Sequence, residues 1–194
     1  MEAEARCVLA FAGHMIDQPG RSCPRFPSWA ESAVQLKIRK EIARLSPAAA
    51  ISSGACGGDI IFAEESLKHG ASLCIILPFQ DRNDFIQRSV AYAGEHWVER
   101  FNKVCDQARL YYVKPDCYQD DKDYEDNQHA VIFFAMGFAA ARNMQLICLL
   151  LYDDTQAGDE IGGTRSFLDL CEQLQIKCDR IDMVAIREDV AANS

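Results

Sequence analysis

Short apolar runs alternate along this chain with longer stretches in which apolar residues recur every three or four positions. The runs cover residues 7–12, 48–53, 72–77, 110–113, 145–152 and, more weakly, 177–183. Near-continuous aliphatic runs of this length predict strands buried on both faces, as in a parallel sheet. Between them, Val34, Ile38, Ile42 and Leu45 fall on one stripe of a helix predicted over 28–45, with Ser28 as its N-cap and Pro47 as its stop. Trp97, Phe101, Val104 and Ala108 form the same stripe over 95–108. Regular alternation of strand and helix predicts an α/β fold of the Rossmann-like, doubly wound kind, a mainly parallel sheet sandwiched by helices. The 194 residues suffice for one domain. We place it over 1–186 and read 187–194 as a flexible tail, the whole of 184–194 having the composition of a frayed end.

Residues 128–141 break the amphipathic rule. Val131, Ile132, Phe133, Phe134, Met136 and Phe138 leave little polar face, so the predicted helix needs burial on more than one side. It lies either beneath other helices or in a subunit interface, which brings a homodimer or higher oligomer into view. Residues 120–126 read instead as an acidic loop.

Composition narrows the partners. A net charge of −9 argues against a duplex-scanning protein, which needs clustered Lys and Arg to displace counterions. A small anion held by local N–H groups and one or two arginines remains compatible with that charge. The nine cysteines stand scattered, several in apolar runs and with no C-x-x-C pair, the pattern of reduced thiols in a cytoplasmic protein rather than of bridges or a metal site. Residues 1–6 are too polar for a signal peptide, and no apolar stretch reaches the ~18 residues of a membrane span, so no membrane partner is expected.

The chemistry is expected at the carboxyl ends of the strands, where open parallel sheets bind ligands. The run Ser53-Gly54-Ala55-Cys56-Gly57-Gly58-Asp59 leads from a strand through a glycine turn into a helix, the local geometry that presents free N–H groups to an anion. Gly162, Gly163, Thr164 and Ser166 repeat that arrangement after the fifth strand. Gly13, His14 and Asp17 follow the first strand. Phe79 and Arg82 follow the third, as a stacking surface and a phosphate clamp. Each of these features has a purely structural reading as well, but two glycine-led helix starts in matching places favour a nucleotide-type ligand.

These residues resemble the SLOG superfamily, the Rossmann-like group that includes the DprA proteins and the LOG phosphoribohydrolases. The Ser53 to Asp59 run, followed by Phe62-Ala63-Glu64, Leu67, Gly70 and Ile75-Ile76-Leu77-Pro78, is similar to the DprA pattern of Ser-Gly-x-x-x-Gly, helix, Gly and strand. Gly162-Gly163-Thr164 resembles the second Gly-Gly-Thr element of the superfamily, and the similarity spans about residues 5–183. With the Leu-Pro-Phe strand end, Trp97 and Phe101, it is most similar to the nucleotide-sensor branch. The resemblance implies a sensor or signalling role through a nucleotide or nucleotide-derived ligand, with no further cofactor and no metal. LOG enzymes carry a glutamate three places after the threonine, where Phe167 stands here.

Three functions therefore stay open. The first is nucleotide binding by Gly13, His14, Ser53, Gly54, Gly57, Gly58, Asp59, Phe79, Arg82, Gly162, Gly163 and Thr164. The second is a nucleoside monophosphate N-glycosidase, with Asp59 and Glu64 as its acids and Asp17 and Asp153 as further carboxylates. The third is an oligomerising interaction module. A DprA-like single-strand groove would need basic and aromatic lining that an acidic chain does not offer.

Overall fold

Every apolar run of the sequence forms a strand. The computed structural model describes residues 7–153 and 163–192. Its strands are β1 (Cys7–Gly13), β2 (Ala49–Ser52), β3 (Ser72–Phe79), β4 (Arg109–Lys114), β5 (Gln145–Tyr152) and β6 (Cys178–Asp182). They make one sheet in the order β4-β3-β2-β1-β5-β6, parallel at each pairing. The chain winds outward from β1 to β4, then returns to the other side of β1 with β5. Loops leaving β1 and β5 therefore diverge, and the crevice between them is the topological switch point of a doubly wound sheet.

Alternate residues of the central strands feed two cores. Leu9 and Phe11 of β1, with Leu149 and Leu151 of β5, pack against α1 (Glu31–Leu45), α2 (Gly58–Lys68), α4 (Glu95–Cys105) and α7 (Met183–Ala192). Val8, Ala10, Cys148 and Leu150 face α5 (Lys122–Ala140) and α6 (Thr164–Gln173). Among the described residues no helix is long and apolar enough to cross a membrane.

Helix boundaries depart from the sequence reading in four places. Ser28 does not cap α1: it opens a single 3-10 turn, Ser28–Ala30, and the helix proper begins at Glu31. Residues 122–126 are the first turns of α5 rather than a loop, because Asp123 is buried, accepts the Gln119 N–H at 2.7 Å and pairs with Lys114. That same helix buries Val131, Ile132, Ala135 and Ala139 on the sheet and leaves Phe133 52% exposed, so within this chain one face is covered, not two. Residues 184–192, expected to fray, continue α7, whose Met183 and Ile186 lie in the core. One further helix, α3 (Arg82–Ser89), starts at Asp81, whose carboxylate accepts the Asp84 N–H.

The glycine turn serves a close crossing. The loop leaving β1 passes over the start of α2: the Gly58 N–H donates to the His14 carbonyl at 3.1 Å, and the Ile16 N–H reaches the Cys56 carbonyl at 3.4 Å. Gly57 has φ +97°, and a Cβ there would lie 2.6 Å from the Ile16 nitrogen. Gly57→Ala is thus expected to destabilise the fold by about 3 kcal/mol, combining backbone strain with overlap against main chain. Gly70→Ala, at φ +86° with open space around it, carries the strain alone and is expected to cost about 1 kcal/mol. Urea denaturation of the two variants checks the contrast.

Candidate functional site

A cavity of about 790 Å³ opens at the switch point, over the carboxyl ends of β1 and β2 and against α3, α5 and the start of α6. Gly13, His14, Asp17, Ser53, Asp59, Gly163 and Thr164 line it, so the two helix starts singled out in the sequence do share one space. The remaining expected residues take other places. Gly54, Gly57 and Gly58 do not line the cavity: Gly57 and Gly58 shape the crossing, Gly54 packs beside Ile75 and Phe101, and the Gly58 N–H is already engaged by the His14 carbonyl. Phe79 is fully buried, edge-on to Phe85, Tyr118 and Tyr124, and so supports the aromatic wall from behind. Arg82 donates to Asn102 Oδ1 at 2.8 Å and lies over the Phe101 ring in a separate, shallow groove. Glu64 also lies off the cavity, in a two-point pair with Arg100 at 2.8 Å that ties α2 to α4. Gly162 lies outside the described residues.

Asp59 has the chemistry of a ligand-reading group. It sits in the first turn of α2, only 4% exposed, and its Oδ2 accepts the Ser53 hydroxyl and the Ala55 N–H. Its Oδ1 is buried without a hydrogen-bond partner among the described residues. Burial outweighs the donors and pushes the carboxyl up to about 6. Across the cavity, Asn127 of α5 is 1% exposed and its Oδ1 is likewise without a partner among the described residues. Buried acceptors without donors cost free energy, and both residues that carry them line this cavity.

His14 is a clamp at the switch point. Its Nε2 accepts the Asp153 main-chain N–H at 3.0 Å, which fixes the proton on Nδ1, and the His14 main-chain N–H donates to the Leu151 carbonyl at 3.2 Å. Burial holds its pKa down near 4, so the ring is neutral at physiological pH. Asp153 is buried beside Arg187 of α7, at 2.7 Å, and Arg187 also donates to the Arg25 carbonyl at 2.8 Å. Asp17 in turn organises the loop after β1 by accepting the Arg25 N–H, at 2.9 Å to Oδ2, with Arg21 at 3.5 Å.

The rest of the lining is aromatic and cationic. Tyr92 donates to the Ile16 carbonyl, Tyr124 shares a hydrogen bond with Ser89, and Arg88 lies 3.8 Å over the Tyr118 ring while paired with Asp84. Arg21 and Arg25 face the same space. At the far wall α6 begins at Thr164 with Gly163 as its cap, so its first-turn N–H groups lie at the cavity edge without partners inside the helix. Asn127, Arg88, Tyr118, Tyr124 and Arg187 escaped the sequence reading. The only trace they left there was a polar residue or tyrosine inside an otherwise apolar or acidic stretch.

No protein family matches the chain, and no curated protein sequence matches it. Solved structures do resemble it in fold. DNA processing protein A of Streptococcus pneumoniae is 10% identical with a TM-score of 0.41, over 90% of this chain and 58% of that one. The protein of the same name from Helicobacter pylori is 14% identical, TM-score 0.41, over 97% and 82%. The molybdenum cofactor binding protein of Rippkaea orientalis is 10% identical, TM-score 0.35, over 98% of each chain. The present chain thus spans a little over half of the pneumococcal protein, and the likeness is one of strand and helix arrangement.

His14 and Asp59 make opposite demands on pH. The folded state keeps His14 neutral, with a pKa near 4 against 6.5 for the free group, so this contribution is complete above pH 6.5 and is lost as pH falls toward 4. Asp59, near 6 against 3.8, prefers its proton in the folded state, so its penalty is absent below pH 3.8 and fully developed above 6. Each is worth roughly 3 kcal/mol at ~1.4 kcal/mol per pH unit, and in the wild type the two largely cancel. Relative to wild type, Asp59→Asn is therefore expected to lose stability steeply between pH 6.5 and 4, and His14→Gln to gain it. Denaturant midpoints across that range provide the check.

Proposed function

We propose that the chain binds a nucleotide or nucleotide derivative in the switch-point cavity, in a sensor or signalling role. The observation that carries this reading is that one space of about 790 Å³ is lined by Asp59 and Asn127, each with a buried oxygen that lacks a partner among the described residues, and by the start of α6. That volume lies within the ~300–1,000 Å³ of small-molecule sites. Phosphate belongs at the Gly163 and Thr164 end, where first-turn N–H groups and the helix dipole favour an anion. It does not belong beside Asp59, whose carboxylate would repel it and where the Gly58 N–H is already used. Asp59 and Asn127 instead accept hydrogen bonds from sugar hydroxyls or base N–H groups, and Tyr118 and Tyr124 offer faces for a ring.

A second reading has its own support in Asp59. A buried carboxyl with a pKa near 6, on a residue that lines a cavity, is suited to give a proton to a departing base and to take one from water, the chemistry of N-glycosidic cleavage. The Glu64 carboxylate, committed to Arg100, has no part in it.

Calorimetric titration with nucleoside monophosphates, NAD and the matching nucleosides tests both. Binding is expected, with the monophosphate favoured over its nucleoside by about tenfold or more, the value of ~1.4 kcal/mol from the helix terminus. Asn127→Leu is expected to weaken binding by about tenfold while leaving stability equal or higher, since it removes a buried unsatisfied group. Absence of binding by every nucleotide would overturn the proposal, whereas release of free base that disappears in Asp59→Asn would establish the hydrolase.

A further inference from the structure

Three thiols converge beside the middle of β5, at the start of β6. Cys148 of β5 and Cys178 of β6 are direct partners in adjacent parallel strands, so both side chains leave the sheet on the same face. Cys171, in the last turn of α6, covers that face, and the chain then folds back with the Ile176 N–H on the Cys171 carbonyl to start β6. The three Sγ atoms lie within 4.8 Å of one another. A zinc–thiolate bond of ~2.3 Å in tetrahedral geometry separates its sulfurs by roughly 3.8 Å, so closing on an ion needs movements of about 1 Å or less.

The grouping sets these cysteines apart from the others. Cys7, Cys56, Cys74 and Cys105 are buried too, but among the described residues no other set of three ligand atoms comes together. Single buried thiols are ordinary small core residues, whereas three at one point place their lone pairs where one soft cation satisfies all of them. Cys148 and Cys171 are buried and Cys178 is half-buried on the edge strand, which supplies a way in.

We propose that Cys148, Cys171 and Cys178 bind one thiophilic metal ion of the zinc(II) or copper(I) class. Three metal–sulfur bonds form, the thiol protons pass to solvent, and no electron is transferred. A zinc ion keeps a water in the fourth position, while copper(I) is held by the three sulfurs alone. Bound there, the ion pins the last turn of α6 to β5 and β6, and α6 is the ten-residue helix whose first residue, Thr164, lines the cavity.

The test uses the full chain, fully reduced and handled without oxygen, dialysed against zinc(II) alone or copper(I) alone. One equivalent of one or both ions is expected by native mass spectrometry, with three sulfur neighbours at about 2.3 Å by X-ray absorption. Zinc binding identifies the water-completed site and copper(I) binding the three-coordinate one. Cys178→Ser, at the most exposed position of the three, is expected to weaken binding by about tenfold or more, while Cys23→Ser and Cys117→Ser leave it unchanged. A chelator should lower the melting temperature of the wild type, reversibly on adding metal, and should leave Cys178→Ser where it was. The proposal is overturned if the reduced protein retains neither ion, if Cys178→Ser retains it equally, or if the thiols pair as a disulfide in preference to taking metal.

Discussion

The passage of one backbone over another, with no room for a side chain between, sets the geometry on which everything else rests. At Gly57 a single added carbon would sit 2.6 Å from the Ile16 nitrogen, and at Gly58 it would sit 3.2 Å from the Gly13 Cα. Because both are glycine, the loop from β1 lies directly on the first turn of α2, and His14 and Asp59 end up on walls of the same cavity. A glycine-led helix start is commonly a cradle for phosphate. Here its contact surface is taken by the protein's own main chain, which leaves the start of α6, on the other side of the switch point, as the other helix start lining the cavity.

This arrangement explains the unusual polarity of the cavity. A neutral imidazole, a carboxyl held well above the ordinary carboxylate range and an amide oxygen without a donor surround one space, while the cations nearby are tethered by Asp17, Asp84 or ring faces. On the proposed nucleotide reading, such a lining selects for hydrogen-bond donors more than for charge.

The central strands β1, β2, β3 and β5 were legible because burial on both faces makes their runs nearly all apolar, whereas the edge strands β4 and β6 are largely exposed and showed it more weakly. Helices were legible where a stripe faced the core, as at Val34, Ile38 and Ile42, and less so where burial was polar: Asp123 made 120–126 look like a solvated loop until its pairing with Lys114 was visible. Of the expected site residues, those adjacent in sequence to the ends of β1 and β2 line the cavity. Phe79 and Arg82 do not, because Phe79 turns into the core and Arg82 lies on a different face of α3 from Arg88, which does line it. Asn127 and Arg187 come from helices distant in sequence, and their roles exist only once α5 and α7 have docked.

Arg187 carries a consequence for how the molecule is made. The buried carboxylate of Asp153, at the very end of the central strand pair, draws its cation from the final helix, which also holds the loop after β1 through the Arg25 carbonyl. The mouth of the sheet is therefore complete only once α7 has docked against the loop after β1. Residues 162 positions apart are thereby tied at one rim, a non-local contact whose loop-closure cost is met only when the intervening strands are in place.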